Sequence, residues 1–166
     1  MKKVCFFLFI ACLLLSCNKE NTGGGKPVEF YLLDSFSYVN GQCKVDPASA
    51  ILKPVPFISN DDIIAYSKSA YTYRISAAAI NRVKAFEGRI PFAVTVDKQV
   101  VYFAFFNEII LSSSCEHSIS MDLDWASQDK ILLQLGYPGT AQGVSIDDQR
   151  NNSVLLAALS SQGKLK

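Results

Sequence analysis

The chain has 166 residues, with 16 Lys and Arg, 15 Asp and Glu, one His and a formal net charge of +1. Its length suits one domain of ordinary size, and a composition of 49% hydrophobic and 19% charged residues excludes disorder over most of the chain. The near-neutral charge offers no basic surface for nucleic acid, so we expect no nucleic-acid partner.

The first residues predict a signal peptide. Lys2 and Lys3 precede an uninterrupted apolar run from Val4 to Leu15. This run of 12 residues is too short for a permanent membrane-spanning helix, but it fits the hydrophobic region of a signal peptide. An ordinary secretory signal that ends beside a chance cysteine is the alternative interpretation.

The end of that run, Leu14-Leu15-Ser16-Cys17, resembles the lipobox of bacterial lipoproteins. In that family a small residue precedes a cysteine that is diacylated on sulfur and becomes the mature N-terminus. The resemblance implies a signal peptide at residues 1–16, a lipid anchor such as palmitate at Cys17, and attachment to the outer membrane of a bacterial cell envelope. Lys19-Glu20 also resembles the surface-export signals of Bacteroidota lipoproteins, so the periplasmic face and the surface face both stay open.

Cysteine parity predicts one disulfide bond. Removal of residues 1–16 leaves Cys17, Cys43 and Cys115, and Cys17 is assigned to lipid. Two cysteines then remain in an oxidising compartment, so we predict that Cys43 and Cys115 are joined. The bond would close a loop of about seventy residues and contribute about 4 kcal/mol in the chain-entropy account. Two free buried thiols are the alternative.

After the lipidation site, the composition predicts a tether and then one domain. Residues 17–27 contain Gly23-Gly24-Gly25, which is typical of a flexible tether, and residues 28–166 are predicted to form a single domain. Partial alternation of apolar residues predicts a long strand over residues 29–39, which ends at the turn dipeptide Asn40-Gly41. The three prolines in residues 42–58 predict an irregular connection.

Further strands are predicted where apolar residues alternate with polar ones or run continuously. These segments are residues 71–75, 91–96, 100–106, 118–124 and 130–135. The second and third flank Asp97-Lys98 as the strands of a hairpin do, and their nearly continuous apolar character predicts a central place in the sheet. Residues 118–124 alternate regularly, which predicts a strand that is exposed on one face.

Three helical segments complete the prediction. A short helix is predicted at residues 59–64, a second at residues 77–86 after the cap Ser76, and a third at residues 147–159. No long series of alternating strands and helices occurs. The chain is therefore predicted to be α+β, with a mostly antiparallel sheet of about six strands and two or three helices packed on it.

The order of elements in residues 60–106 resembles part of the periplasmic domain of the SecD translocase subunit. In that domain a strand and a helix precede a hairpin, and here residues 92–100 read Phe-Ala-Val-Thr-Val-Asp-Lys-Gln-Val in the same place. The resemblance covers about a third of the mature chain and implies a fold, since its motifs are structural. The whole chain also resembles small Bacteroidota lipoproteins of unknown function.

The only histidine, His117, invites a metal or catalytic interpretation. Cys115, His117 and Cys43 could supply three ligands of a zinc site, with Glu116 or Glu108 nearby in sequence. A disulfide would remove both thiols as ligands, so we predict no metal and no cofactor. A Cys-His catalytic pair also lacks a third group to orient the histidine.

Asp122 and Asp124 would share one face of a strand. Carboxylates at that spacing suit calcium binding or the cleavage of a glycosidic bond, although solvated surface is the commoner role of such residues. We expect a lipid-anchored envelope protein without catalytic residues, whose domain binds or scaffolds another envelope protein, a peptide or a glycan. The alternative is a small envelope hydrolase or metal-binding protein that uses His117 with nearby carboxylates, and it requires these side chains to meet in one cleft.

Overall fold

The computed structural model describes residues 24–107, 113–122 and 129–166. Within these ranges the elements in chain order are β1 (Val28–Ser35), β2 (Ile51–Leu52), β3 (Ile63–Ser67), β4 (Thr72–Ile75), α1 (Ala77–Lys84), β5 (Ile90–Val96), β6 (Gln99–Asn107), β7 (Ile119–Asp122), β8 (Lys130–Leu135) and α2 (Ser153–Ser161). The strands form one sheet in the order β2-β1-β5-β6-β7-β8-β4-β3. Neighbouring strands are antiparallel except β6 and β7, which are parallel.

The fold class is α+β and mostly antiparallel, as the sequence predicts, but the described part of the chain has eight strands rather than about six. One of the two additional strands, β2, has only two residues and lies in the segment predicted to be irregular. The other, β3, begins inside the short helix predicted at residues 59–64. There the chain makes one 3-10 turn at Asn60–Asp62, and Ile63 then pairs with Ile75 of β4.

A carboxylate holds that turn in place. The Asp62 side chain accepts hydrogen bonds from the backbone and the hydroxyl of Ser59, from the hydroxyl of Ser76 and from Arg82. Burial alone would raise the pKa of Asp62, but these hydrogen bonds outweigh it and lower the pKa to about 2. Asp62 thus closes its own turn and also holds Ser76, the N-cap residue of α1.

The last helix is shorter than its apolar pattern predicts. It begins at Ser153 instead of residue 147, because Asn152 accepts a hydrogen bond from the Val154 backbone and so caps it. The preceding residues are held out of the helix by an ion pair between Asp148 and Arg150. The prediction of a helix over residues 147–159 is therefore wrong at its start.

The predicted hairpin of β5 and β6 is confirmed and lies in the middle of the sheet. Asp97 and Lys98 connect the strands, with φ values of 54° and 62°. Two consecutive left-handed residues form the kind of turn whose twist matches that of paired strands. The Asp97 backbone also donates a hydrogen bond to the Pro27 carbonyl, so the chain enters the domain beside this turn.

Strand β7 is buried on both faces, which corrects the prediction of a half-exposed strand at residues 118–124. Backbone hydrogen bonds join Cys115 and Tyr137 in both directions, and the Ser120 hydroxyl donates to the Gly136 carbonyl. The segments before β7 and after β8 thus cover its second face. Residues 123 and 124 lie outside the described ranges.

The two faces of the sheet carry separate cores. Both helices cover one face, where the larger core contains Phe30, Phe92 and Phe106. On the opposite face a smaller core forms around Phe105 and Cys115 under irregular segments. Among the described residues no helix is long and apolar enough to cross a membrane.

Candidate functional site

A cleft of about 480 Å³ lies over the first residues of β6 and β7. Because these strands are parallel, both begin at the same end of the sheet. The strands contribute the apolar and aromatic side chains of Val101, Tyr102, Phe103 and Ile119. The bottom of the cleft is therefore largely apolar, as in most small-molecule sites.

The cleft has two walls, which come from opposite faces of the sheet. The disulfide-side wall consists of residues 44–50, and its Val45 packs in the smaller core. The helix-side wall consists of residues 145–149, and its Ile146 packs against the larger core. A ligand in this cleft would therefore contact both layers of the molecule.

A disulfide bond between Cys43 and Cys115 supports the first wall, and the sequence prediction of this bond is confirmed. The two Cα atoms are 5.1 Å apart. The Ser118 hydroxyl, 2.6 Å from the Cys43 carbonyl, donates a second link between the same segments. Lys44 and His117 follow these half-cystines closely in sequence, so the bond holds their segments together.

Arg150 supports the helix-side wall. Its Nε donates to Oδ1 of Asp148 and its Nη2 donates to Oδ2, both at 2.8 Å. Its Nη1 donates to the Leu133 carbonyl. The guanidinium stacks 3.7 Å from the centre of the Tyr71 ring. The hydrogen bonds from Arg150 lower the pKa of Asp148, so the pair stays charged. The irregular segment before α2 is therefore anchored to β8.

Three charged or titratable side chains reach the cleft: Lys44, His117 and Asp147. No described residue forms a hydrogen bond or ion pair with the side chain of Lys44 or His117. One oxygen of Asp147 accepts a hydrogen bond of 2.7 Å from Gln149 Nε2. These groups therefore have hydrogen-bonding capacity to offer a ligand.

Buried tyrosines lie beneath this end of the sheet. Tyr102 is 6% exposed. Its hydroxyl interacts electrostatically with that of Tyr73, but neither hydroxyl forms a hydrogen bond with a described residue. Burial raises the pKa of both hydroxyls, and their mutual interaction adds to this for Tyr73. Tyr66 instead donates to the Arg150 carbonyl at 2.8 Å. These hydroxyls stay protonated and do not supply a base.

The structure does not gather the carboxylates that the sequence suggested for catalysis. His117 lies at the cleft in the turn before β7, whereas Asp122 is buried at the far end of that strand and does not line the cleft. Glu116 is half-buried and does not line the cleft, and Glu108, Asp124 and Cys17 lie outside the described residues. The described residues contain no group of three or more His, Cys, Asp and Glu side chains that could hold a metal ion.

The sequence prediction missed Lys44 and Asp147. Lys44 falls in the segment predicted only to be irregular, and Asp147 was assigned to the start of a helix. Each segment has a local sequence feature that indicates irregular structure or an ion pair: prolines follow Lys44, and the acidic pair Asp147-Asp148 precedes Arg150. Neither signal shows which face of the sheet a segment covers, so neither could bring the two residues to one cleft.

Compared with protein-family models, curated proteins and solved structures, the chain matches none. No relative is therefore at hand to assign a ligand or a reaction to the cleft.

Proposed function

We propose that the protein is a lipid-anchored envelope protein whose domain binds a small ligand in the cleft without chemically changing it. The cleft itself carries this proposal. Its volume of about 480 Å³ falls in the range of small-molecule sites, and it combines an apolar bottom with a few convergent polar groups. Both walls are braced, one by a disulfide and the other by Arg150, which favours a preformed site.

The anchor is proposed from the sequence Leu14-Leu15-Ser16-Cys17. The disulfide supports an exported location, because such bonds persist mainly in oxidising compartments. Location at the outer membrane and membership of the small Bacteroidota lipoproteins stay predictions. The resemblance of residues 60–106 to the SecD periplasmic domain also stays a prediction and lends no translocation role.

A binding role is favoured over catalysis by the surroundings of His117. A general base needs hydrogen-bonding contact with a nucleophile or a proton donor, and an orienting partner. His117 has no such partner among the described residues. The alternative of an envelope hydrolase or metal-binding protein has only the position of His117 at the cleft in its favour.

Two measurements test the proposal. Cys17→Ser should abolish labelling by radioactive palmitate and release the chain from membranes, whereas Cys12→Ser should change neither. A fragment screen by NMR on the mature chain (residues 17–166 with Cys17→Ser) should shift the amide signals of residues 44–50, 117–119 and 145–149. A screen in which no compound perturbs these segments would contradict the binding role, and persistent labelling of the Cys17 variant would contradict the anchor.

A further inference from the structure

The charges at the cleft have opposite signs on its two walls. Lys44 belongs to the disulfide-side wall, and Asp147 belongs to the helix-side wall. They form no ion pair with each other in the described structure, so their opposite charges do not neutralise each other directly. The apolar side chains of β6 and β7 lie between these walls.

Each charge has an unfilled place for a ligand atom. The Lys44 ammonium has no hydrogen-bond acceptor among the described residues, and neighbouring His117 has no described partner either. Asp147 uses its Oδ2 atom to accept from Gln149, and Oδ1 has no donor in the described structure. A carboxylate on one side and an ammonium on the other would complement both.

On these grounds we propose that the cleft binds a zwitterionic ligand with an apolar body, of the size and chemistry of a di- or tripeptide with free termini. Its carboxylate would pair with Lys44 and His117, and its ammonium with Asp147. Its apolar side chains would pack on Val101 and Phe103, which are partly exposed at the cleft. This inference rests on the proposed binding function and specifies its ligand class.

Other ligand classes fit this lining less well. A fatty acid would match Lys44 and the apolar bottom, but it has no cation for Asp147. A glycan needs many hydrogen-bond partners, whereas most side chains at the bottom of the cleft are apolar. A volume of about 480 Å³ also suits a short ligand better than a folded partner.

The test compares four probes by isothermal titration on the mature chain with Cys17→Ser. They are leucyl-phenylalanine, its N-acetyl derivative, its C-terminal amide and dodecanoate. The free dipeptide should bind most tightly. Blocking either terminus should weaken binding about threefold to fivefold, because each block removes an ion pair with an exposed side chain at the cleft.

Variants assign each terminus to its wall. Lys44→Gln should reduce the difference in affinity between the free dipeptide and its amide to the part that His117 contributes, while the penalty for acetylation remains. In Asp147→Asn the acetylated dipeptide should bind as well as the free one, while the penalty for amidation remains. The introduced amide oxygen can still accept the hydrogen bond from Gln149. Lys84→Gln on α1 and Glu87→Gln shortly after it are matched controls outside the cleft lining that should leave all four affinities unchanged. A merely structural effect would weaken every probe alike.

The outcomes separate this inference from the proposed function. If dodecanoate binds and the peptides do not, or if all three peptides bind equally, the inference is wrong and the cleft still binds ligands. If the peptides fail and the fragment screen also leaves residues 44–50 and 145–149 unperturbed, both are wrong. If amidation of the dipeptide weakens binding equally in Lys44→Gln and in the parent chain, the assignment of the ligand carboxylate to Lys44 is also wrong.

Discussion

The two faces of the sheet are covered by different kinds of structure. Both helices pack on one face, over rings that include Phe92 and Phe106, whose centroids are 4.4 Å apart. Irregular segments cover the other face, and the disulfide between Cys43 and Cys115 joins them. The stability of the first face therefore depends on buried apolar area. The stability of the second face depends on a covalent bond, because little regular structure covers it.

Removal of a ring from the helix-covered face should have the largest effect. Phe92→Ala should lower the free energy of unfolding by about 4 kcal/mol, because a fully buried ring that stacks on Phe106 is replaced by a cavity. Urea unfolding followed by circular dichroism measures this. Val154→Ala on the exposed side of α2 is the control and should change stability by less than about 0.5 kcal/mol. A loss below about 1 kcal/mol in Phe92→Ala would contradict this role of the larger core.

Loss of the disulfide should affect the second face selectively. The double variant Cys43→Ala/Cys115→Ala should lose about 3 kcal/mol of stability, since its unfolded chain is less constrained. This is less than the chain-entropy account gives, because an unfolded chain with residual structure gains less freedom. Hydrogen exchange should show a loss of protection in β5 that follows the lower global stability, and a larger loss in residues 36–50 and 113–118, where local opening adds to it. Reduction of the parent protein is a second route to the same state. Equal loss of protection in β5 would show that the two faces are not independent.

The carboxylate of Asp62 should make the helix-covered face sensitive to acid. Its pKa is lowered to about 2 in the folded state, so its stabilisation is present above pH 4 and is lost as the pH falls towards 2. Asp62→Asn should therefore cost about 2 kcal/mol at neutral pH and progressively less below pH 4. Unfolding at a series of pH values measures the difference, and Asp34→Asn is the control. A cost that persists unchanged at pH 2 would contradict the linkage.

The smallest expected effect concerns the cap of α2. Asn152→Ala should lower the free energy of unfolding by about 1 kcal/mol, because the Val154 backbone loses its acceptor. Asn152→Asp keeps an acceptor at the helix start and should restore most of this stability. Thermal unfolding of the three proteins gives the comparison. Equal stability of the Ala and Asp variants would show that the cap does not contribute.

Local patterns predicted the parts of the fold that local chemistry decides. The hairpin of β5 and β6 follows from two apolar runs around Asp97-Lys98, and the disulfide follows from cysteine parity. Strand β3 was missed because Asp62 favours a helical start on its own, whereas pairing of Ile63 with Ile75 across the sheet decides the outcome.

The candidate cleft was less accessible to sequence reasoning. His117 was identified as a candidate because of its chemistry alone. Lys44 and Asp147 are 103 positions apart and reach the cleft only because their segments fold over opposite faces of the sheet. Such a placement depends on long-range packing, and no spacing in the sequence encodes it.

The chain enters the domain beside the turn of the β5–β6 hairpin, where Gln162 and Asp97 donate hydrogen bonds to the Lys26 and Pro27 carbonyls. The cleft lies at the same end of the sheet, at the start of β6. If Cys17 is the anchor proposed above, the 9 residues from 17 to 25 can hold Lys26 no further than about 32 Å from the bilayer. The ligand would then have to diffuse through a narrow aqueous layer between the domain and the lipid headgroups. The length of the tether would then set how freely the cleft is filled.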